Sequence, residues 1–183
     1  MSDHRSETAR REWVRTGRTQ LHSPSATEGH AQTIDAHWSG WAEPQQLPPT
    51  SDWRVWLFMG GRGSGKTRAG AEWVRGLAAE GIGPIALVGE TITEAIAVMV
   101  SGPSGLMAVT PPDERPKLSG ATLHWPNGVE GTILGAADPE RFRGPQFAAA
   151  WCDEAAKWPN AEAAWDMLQF GLRLGDQPRP APF

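Results

Sequence analysis

The chain has 183 residues, 39% of them hydrophobic, which is enough for one ordinary domain with a packed core. Its formal net charge is −4, so it has no overall basic field that would indicate nucleic-acid binding, although a local arginine-lined face is compatible with that charge. The single cysteine, Cys152, excludes an intramolecular disulfide framework, and with a polar N-terminus and no bilayer-length apolar run it favours a cytoplasmic protein without membrane contact.

The first 40 residues are rich in Ser, Thr, His, Arg and Glu and show no lasting hydrophobic periodicity. A segment of this composition buries too little apolar surface to offset its ordering entropy, so residues 1–40 are predicted to be a disordered tail. A short helix over 10–18 and a role as a basic arm or partner-binding peptide are alternatives. Residues 41–183 are predicted to form the folded domain.

Just before the first predicted strand lies a segment rich in tryptophan and proline, which contains Gln45 and Gln46. A glutamine amide donates and accepts hydrogen bonds at once, which suits the N6 and N7 atoms of adenine. Either glutamine is therefore a candidate adenine-binding residue. The alternative interpretation is a linker whose tryptophans cover the edge of the sheet.

The most informative stretch runs from Trp53 to Thr67. An apolar run over 53–59 predicts a strand, and residues 60–67 then fit G-x-x-x-x-G-K-[ST], the phosphate-binding P-loop. Glycines let such a loop wrap an anion with backbone N–H groups directed inward, and a helix predicted over 66–80 brings its N-terminus beneath the phosphates. Lys66 is expected to reach the β- and γ-phosphates of ATP, and the Thr67 hydroxyl to bind Mg²⁺. The candidate nucleotide-binding residues of the loop are Gly60, Gly61, Arg62, Gly63, Ser64, Gly65, Lys66 and Thr67.

Strand and helix signals alternate after the loop. The continuous apolar run 85–89 predicts a buried parallel strand, and Thr91 with Glu94 marks the start of the next helix. Residues 121–125 and 129–135 flank an Asn-Gly turn and predict a β-hairpin. The order predicts an α/β fold of the P-loop NTPase type, with a mostly parallel sheet flanked by helices and a β-hairpin insertion.

A second chemical stretch is the apolar run 147–152, which ends in Asp153 and Glu154. Because parallel strands place their carboxyl ends at one edge of the sheet, both acids are expected beside the P-loop. Asp153 is the candidate ligand of Mg²⁺ through its water shell, and Glu154 the candidate general base that polarises the attacking water.

Three arginines are candidates for stabilising charge on the γ-phosphate. Arg141 and Arg143 lie on a predicted loop just before the acidic strand, and Arg62 lies inside the P-loop. A guanidinium inserted at the phosphate, from the same or a neighbouring subunit, stabilises the charge of the transition state. The alternative for Arg141 and Arg143 is surface ion pairing with Asp138 and Glu140.

Together these motifs resemble the ATPase domain of phage-type large terminase subunits, in particular the group found in gene transfer agents. The resemblance covers about residues 38–175 and implies a motor that hydrolyses ATP to pump double-stranded DNA into a procapsid. It implies a homo-oligomeric ring at the portal protein, with a small terminase subunit as partner. The motifs that carry it are WAEPQQLPP (41–49), GGRGSGKTRAGAEW (60–73), GPSGL (102–106), WPNG (125–128), PERFRGPQ (139–146) and WCDE (151–154).

By position, the resemblance makes Lys66 and Thr67 the phosphate and Mg²⁺ residues and Asp153 and Glu154 the Walker B pair. Arg62 becomes the P-loop arginine. Arg141 is the preferred finger acting on a neighbouring subunit, and Arg143 is the second choice.

Family members continue beyond the helix after Walker B into a coupling strand and a nuclease domain, whereas this sequence stops at Phe183. The expectation is therefore a partial, C-terminally truncated ATPase domain without the nuclease. Two alternatives stay open. One is a nucleotide-binding subunit or gene fragment without ATP turnover, and the other is a P-loop kinase acting on a small molecule, against which the strand-end Asp-Glu pair argues.

Overall fold

The computed structural model describes residues 38–51 and 53–174. The helix predicted over 10–18 and almost all of the predicted tail lie outside the described residues. Contacts divide the chain into two units at Glu43/Pro44. In the first unit, residues Trp38–Gly40 form a 3₁₀ turn. The second unit begins at Pro44 and contains every strand that the structure describes.

A five-stranded sheet forms the centre of this second unit, in the order β2-β3-β4-β1-β5. The central strand β1 runs parallel to β4 on one side and to β5 on the other, while β3 pairs antiparallel with β4 and with β2. The predicted α/β fold and hairpin are confirmed, and the sheet is mixed because the hairpin joins it directly. The strands are β1 (Ile85–Gly89), β2 (Lys117–Ser119), β3 (Thr122–His124), β4 (Glu130–Gly135) and β5 (Ala149–Cys152).

Helices cover both faces of the sheet. On β1, Ile85 and Leu87 belong to one buried cluster and Ala86 and Val88 to another, as expected when successive strand side chains point to opposite faces. The first cluster includes residues of the three helices α1, α2 and α3, and the second includes residues of α4. The helices are α1 (Lys66–Ala79), α2 (Ile92–Ala95, continued by a π-helical turn over Ile96–Val100), α3 (Leu106–Val109) and α4 (Ala161–Gly171).

The local signals around β1 are confirmed. α1 ends one residue before the predicted limit, and β1 has the predicted bounds and is buried throughout. Thr91 caps α2, since its hydroxyl accepts a hydrogen bond of 3.2 Å from the Glu94 N–H. Among the described residues, no helix has the length and apolar character needed to span a bilayer.

The strand predicted over 53–59 is wrong. Within this segment only Trp56 forms a β-bridge, and Val55, Leu57 and Met59 are exposed while Trp56 is buried. The apolar run is present, but a strand also needs a hydrogen-bonded neighbour. Within the described part of the chain, the outer edge of β5 has none beyond one parallel bridge between Phe147 and Leu172.

One strand was missed. The sequence patterns predict no strand between 111 and 120, yet Lys117–Ser119 forms β2 and pairs with β3. All three residues are exposed, so no apolar alternation marks them in the sequence. Residues 117–119 become a strand because they pair with β3 at the edge of the hairpin, and not because of their local propensity.

Candidate functional site

The loop 60–67 adopts a conformation that depends on its glycines. Gly63 and Gly65 have φ values of 81° and 85°, in the left-handed region that residues with a Cβ rarely adopt. A Cβ on Gly60 would collide with the Ser64 side chain. α1 begins directly at Lys66, so the loop and the helix N-terminus are continuous, as the sequence predicts.

Lys66 bends back over its own loop. Its Nζ atom donates hydrogen bonds to the carbonyl oxygens of Gly60, at 2.8 Å, and Gly61, at 3.2 Å. The same atom lies 3.7 Å from Oε1 of Glu154. The tertiary structure thus brings together a loop lysine and a strand-end acid that the sequence places 88 residues apart.

The two acids follow β5 directly and are held by different contacts. The Asp153 backbone N–H donates to the Val88 carbonyl at 2.9 Å, and the Trp158 indole donates to the Asp153 carbonyl at 3.1 Å. Glu154 has a φ of 50° and is the one non-glycine residue with positive φ in the described part of the chain. Such a conformation costs about 1–3 kcal/mol, and strain of this kind clusters at functional sites. Lys157 lies 3.5 Å from the second carboxylate oxygen of Glu154.

Asp153 and Glu154 lie in different electrostatic environments. Burial and then the Glu154 charge raise the pKa of Asp153 to about 6, while Lys66 and Lys157 act in the opposite direction. Glu154 is partly exposed, with 43% of its side chain accessible. Burial also raises the pKa of the Cys152 thiol, which fits the expected packing role of this residue in β5.

A cavity of about 330 Å³ separates the end of the 53–60 segment from β5. It is within the size range of small-molecule sites. Loop and acids share it, because Gly60, Lys66, Asp153 and Glu154 all line its wall.

The donor set fits a nucleotide with Mg²⁺. The Ser64 hydroxyl is buried and has no hydrogen-bond partner among the described residues, which is the condition of a group that a ligand oxygen satisfies. Thr67 stands in the first turn of α1, and Asp153 supplies a carboxylate at the shared cavity. Hydroxyl and carboxylate oxygens are the ligands that Mg²⁺ prefers.

The arginines before β5 stand elsewhere. Arg141 pairs with Asp138 at 3.0 Å and Arg143 with Glu140 at 3.1 Å, on a 3₁₀ turn over Pro139–Phe142. Both arginine side chains are 62% exposed, and neither lines the cavity. Surface ion pairing, the alternative interpretation, describes their contacts within the chain; a role on a neighbouring subunit stays a prediction.

The remaining candidates differ in what they touch. Arg62 is exposed at the turn of the loop, and Gln45 is exposed on the 3₁₀ turn Pro44–Gln46. Gln46 is half-buried, and its amide nitrogen donates a hydrogen bond of 3.0 Å to the Ser64 carbonyl. The structure therefore places Gln46 against the loop itself.

Sequence reasoning missed two features of the site. Gly70 of α1 faces Trp151 of β5 so closely that a Cβ at this glycine would overlap the indole. Lys157 approaches Glu154 on the following 3₁₀ turn. The three-residue spacing of Glu154 and Lys157 was a usable signal, but the Gly70–Trp151 contact crosses two elements and had none.

The sequence profile of the family described as terminase large subunit, T4likevirus-type, N-terminal, matches residues 57–181. The chain belongs to the large terminase subunit family. Two solved structures are similar to this terminase chain. They are the large terminase ATPase domain of Thermus phage P74-26 and an arginine-to-alanine mutant of the same domain.

Both structures have 15% sequence identity to this terminase chain. The first has a TM-score of 0.47 and the match covers 81% of this chain and 66% of that domain. The mutant has a TM-score of 0.49, with 88% and 64% covered. The terminase chain thus spans slightly less than two thirds of the length of these domains. No curated protein matches the sequence.

Proposed function

We propose that this chain binds and hydrolyses ATP as the motor domain of a terminase that drives double-stranded DNA into a procapsid. One observation carries the proposal: the Lys66 amine and the Glu154 carboxylate lie 3.7 Å apart at the wall of one cavity. This arrangement joins a phosphate-binding lysine to a base for water, two of the groups that ATP hydrolysis requires. Membership of the large terminase family supports the packaging role.

Each residue has a distinct part in the proposed reaction. The loop N–H groups and Lys66 bind the β- and γ-phosphates, while Thr67 and Asp153 hold Mg²⁺. When bound, Mg²⁺ neutralises negative charge on the phosphate oxygens. Glu154 accepts a proton from the attacking water.

Lys66 links the phosphate-binding loop to the proposed base through its contacts. Lys66 is engaged by the carbonyls of Gly60 and Gly61 and by Glu154, so it has to exchange these partners for phosphate oxygens. The exchange releases Glu154 from one of its two lysine neighbours. Phosphate binding and base release are thereby coupled through one side chain.

The proposed assembly follows the family. We propose a homo-oligomeric ring at a portal protein, with a small terminase subunit as partner and double-stranded DNA as the moved substrate. The exposure of Arg141 and Arg143 on one surface turn supports a role for one of them at the site of a neighbouring subunit.

Substitution of the two contacting residues tests the proposal. Lys66→Ala is expected to lose ATP binding, and Glu154→Gln to keep binding while turnover falls by about 10²–10⁴-fold, as typical for loss of a general base. Binding is measured by calorimetry and turnover by phosphate release, with Mg²⁺ present. Hydrolysis that survives both substitutions would sink the proposal.

A second candidate is a nucleotide-binding subunit that joins terminase assemblies without turning over ATP. One observation favours it: a cavity lies between the 57–60 segment and β5. In the described part of the chain, the segment before the P-loop is therefore not paired with the strand that precedes the acids. Tight ATP binding without phosphate release, in the presence of double-stranded DNA and partner subunits, selects this candidate over the first.

A further inference from the structure

The sequence offered Gln46 as a residue for adenine, but in the fold its amide nitrogen contacts the phosphate-binding loop. Its Nε2 atom donates to the Ser64 carbonyl oxygen at 3.0 Å. The same nitrogen lies 2.5 Å from the position that a Cβ on Gly65 would take. Position 65 thus requires glycine for two reasons, its left-handed φ of 85° and the close approach of the Gln46 amide.

The contact controls the direction of one peptide group. In a trans peptide the carbonyl and the following N–H point to opposite sides. Because Gln46 holds the Ser64 carbonyl on its own side, the N–H of Gly65 is directed to the other side. Backbone N–H groups of this loop are the donors that a P-loop offers to phosphate, so the orientation of this peptide is part of the binding surface.

We propose that Gln46 is a positioning residue that fixes the Ser64–Gly65 peptide for phosphate binding, whichever nucleobase the ligand carries. The inference rests on the proposed nucleotide site and adds a residue that lies outside the P-loop motif. A residue that reads adenine lowers affinity for ATP alone when it is lost. A residue that positions the loop lowers affinity for every polyphosphate by the same factor.

The test uses two near-isosteric variants that remove the amide donor, Gln46→Met and Gln46→Glu. Gln169→Met is the matched control, because it makes the same chemical change at an exposed position of α4. Affinities for ATP, GTP and inorganic tripolyphosphate are measured by calorimetry with Mg²⁺. Hydrogen exchange of the loop amides is measured in the ligand-free protein.

Gln46→Met is expected to lower the affinity for all three ligands by a common factor of roughly 3–10, the effect of losing one neutral hydrogen bond. Gln46→Glu is expected to weaken them more, since its carboxylate faces the Ser64 carbonyl. Both variants should speed exchange of the 62–67 amides while the denaturation midpoint stays that of Gln169→Met.

Two results overturn the inference. If ATP binding weakens while GTP and tripolyphosphate are unaffected, Gln46 reads the base. If the parent protein binds none of the three ligands, the proposed function fails, and hydrogen exchange then tests the positioning role separately. Unchanged exchange of the loop amides in both Gln46 variants refutes the positioning role, whereas faster exchange supports it.

Discussion

At the scale of single residues, the ionised carboxylate of Asp153 lowers the stability of the fold. Burial and the adjacent Glu154 charge raise its pKa from the ordinary 3.8 to about 6. The folded protein therefore binds more protons than the unfolded chain between about pH 4 and 6, and ionised Asp153 lowers the free energy of unfolding as pH rises through that window. In the proposed function, the ionised carboxylate is the anionic ligand that Mg²⁺ requires.

Asp153→Asn is expected to raise the free energy of unfolding by about 1–3 kcal/mol at pH 7.5, because it removes the buried charge. The gain should vanish near pH 4, where the wild-type carboxyl is protonated in the folded state and close to half-protonated in the unfolded chain. Urea denaturation across this pH range measures the difference, and calorimetry should show loss of Mg²⁺-dependent ATP binding.

Asp113→Asn, at an exposed position, is the control for the loss of one negative charge and should change neither quantity appreciably. A stability gain at Asp153 that is the same at pH 4 and pH 7.5 would contradict the buried-charge explanation.

At the scale of elements, the site depends on how closely α1 approaches β5. Gly70 allows the approach, since a Cβ there would overlap Trp151. Trp151 precedes the acids by two residues and lines the same cavity as Lys66. The Gly70–Trp151 contact thereby joins the P-loop helix to the strand that precedes Asp153 and Glu154.

Gly70→Ala is expected to destabilise the protein by about 1–3 kcal/mol, the usual cost of overpacking, and to weaken ATP binding. Gly76→Ala is the matched variant, because Gly76 lies on the same helix and nothing stands within 4 Å of its added Cβ. It should stabilise the protein by about 0.5–1 kcal/mol through helix propensity. Guanidinium denaturation compares the pair, and destabilisation of equal size in both would refute the contact with Trp151.

At the scale of the whole molecule, the two acids line the cavity whereas the exposed arginines do not. Arg141 has no contact with the cavity in its own chain, so its proposed role requires a neighbour in a ring. The isolated chain is then expected to bind nucleotide well and to turn it over slowly, since an arginine finger contributes about 10³–10⁵-fold to turnover.

A mixing experiment tests this prediction. Arg141→Ala and Glu154→Gln subunits are each expected to be inactive in the assembled motor. Mixed together they should recover activity, because an intact Glu154 site then meets an intact Arg141 from the neighbouring subunit. Phosphate release by the mixture measures the recovery, and Arg143→Ala replaces Arg141→Ala in a parallel series.

Activity of the mixture no greater than the sum of its parts would exclude Arg141 as a residue acting on the neighbour. Recovery in the Arg143 series alone would assign the role to the second arginine. Arg141→Ala is expected to leave ATP binding by the isolated chain unchanged, which separates its effect from damage to the site.

Local patterns in the sequence predicted most of the elements. Helix α1, strand β1, the cap at Thr91 and the hairpin around the Asn-Gly turn depend on residues a few positions apart, and all are present. The strand predicted over 53–59 is wrong because an apolar run is a property of one segment, whereas a strand also requires a hydrogen-bonded neighbouring strand.

The sequence by itself determined the α/β class, the glycine pattern of the P-loop and the two acids after an apolar run. Only the tertiary structure decided that Lys66 meets Glu154, that Gln46 holds the Ser64 carbonyl and that Trp151 occupies the space beside Gly70. The physical reason is the same in each case. Propensity and periodicity act between neighbours in sequence, but these contacts depend on the packing of segments that are distant in sequence, which no local pattern records.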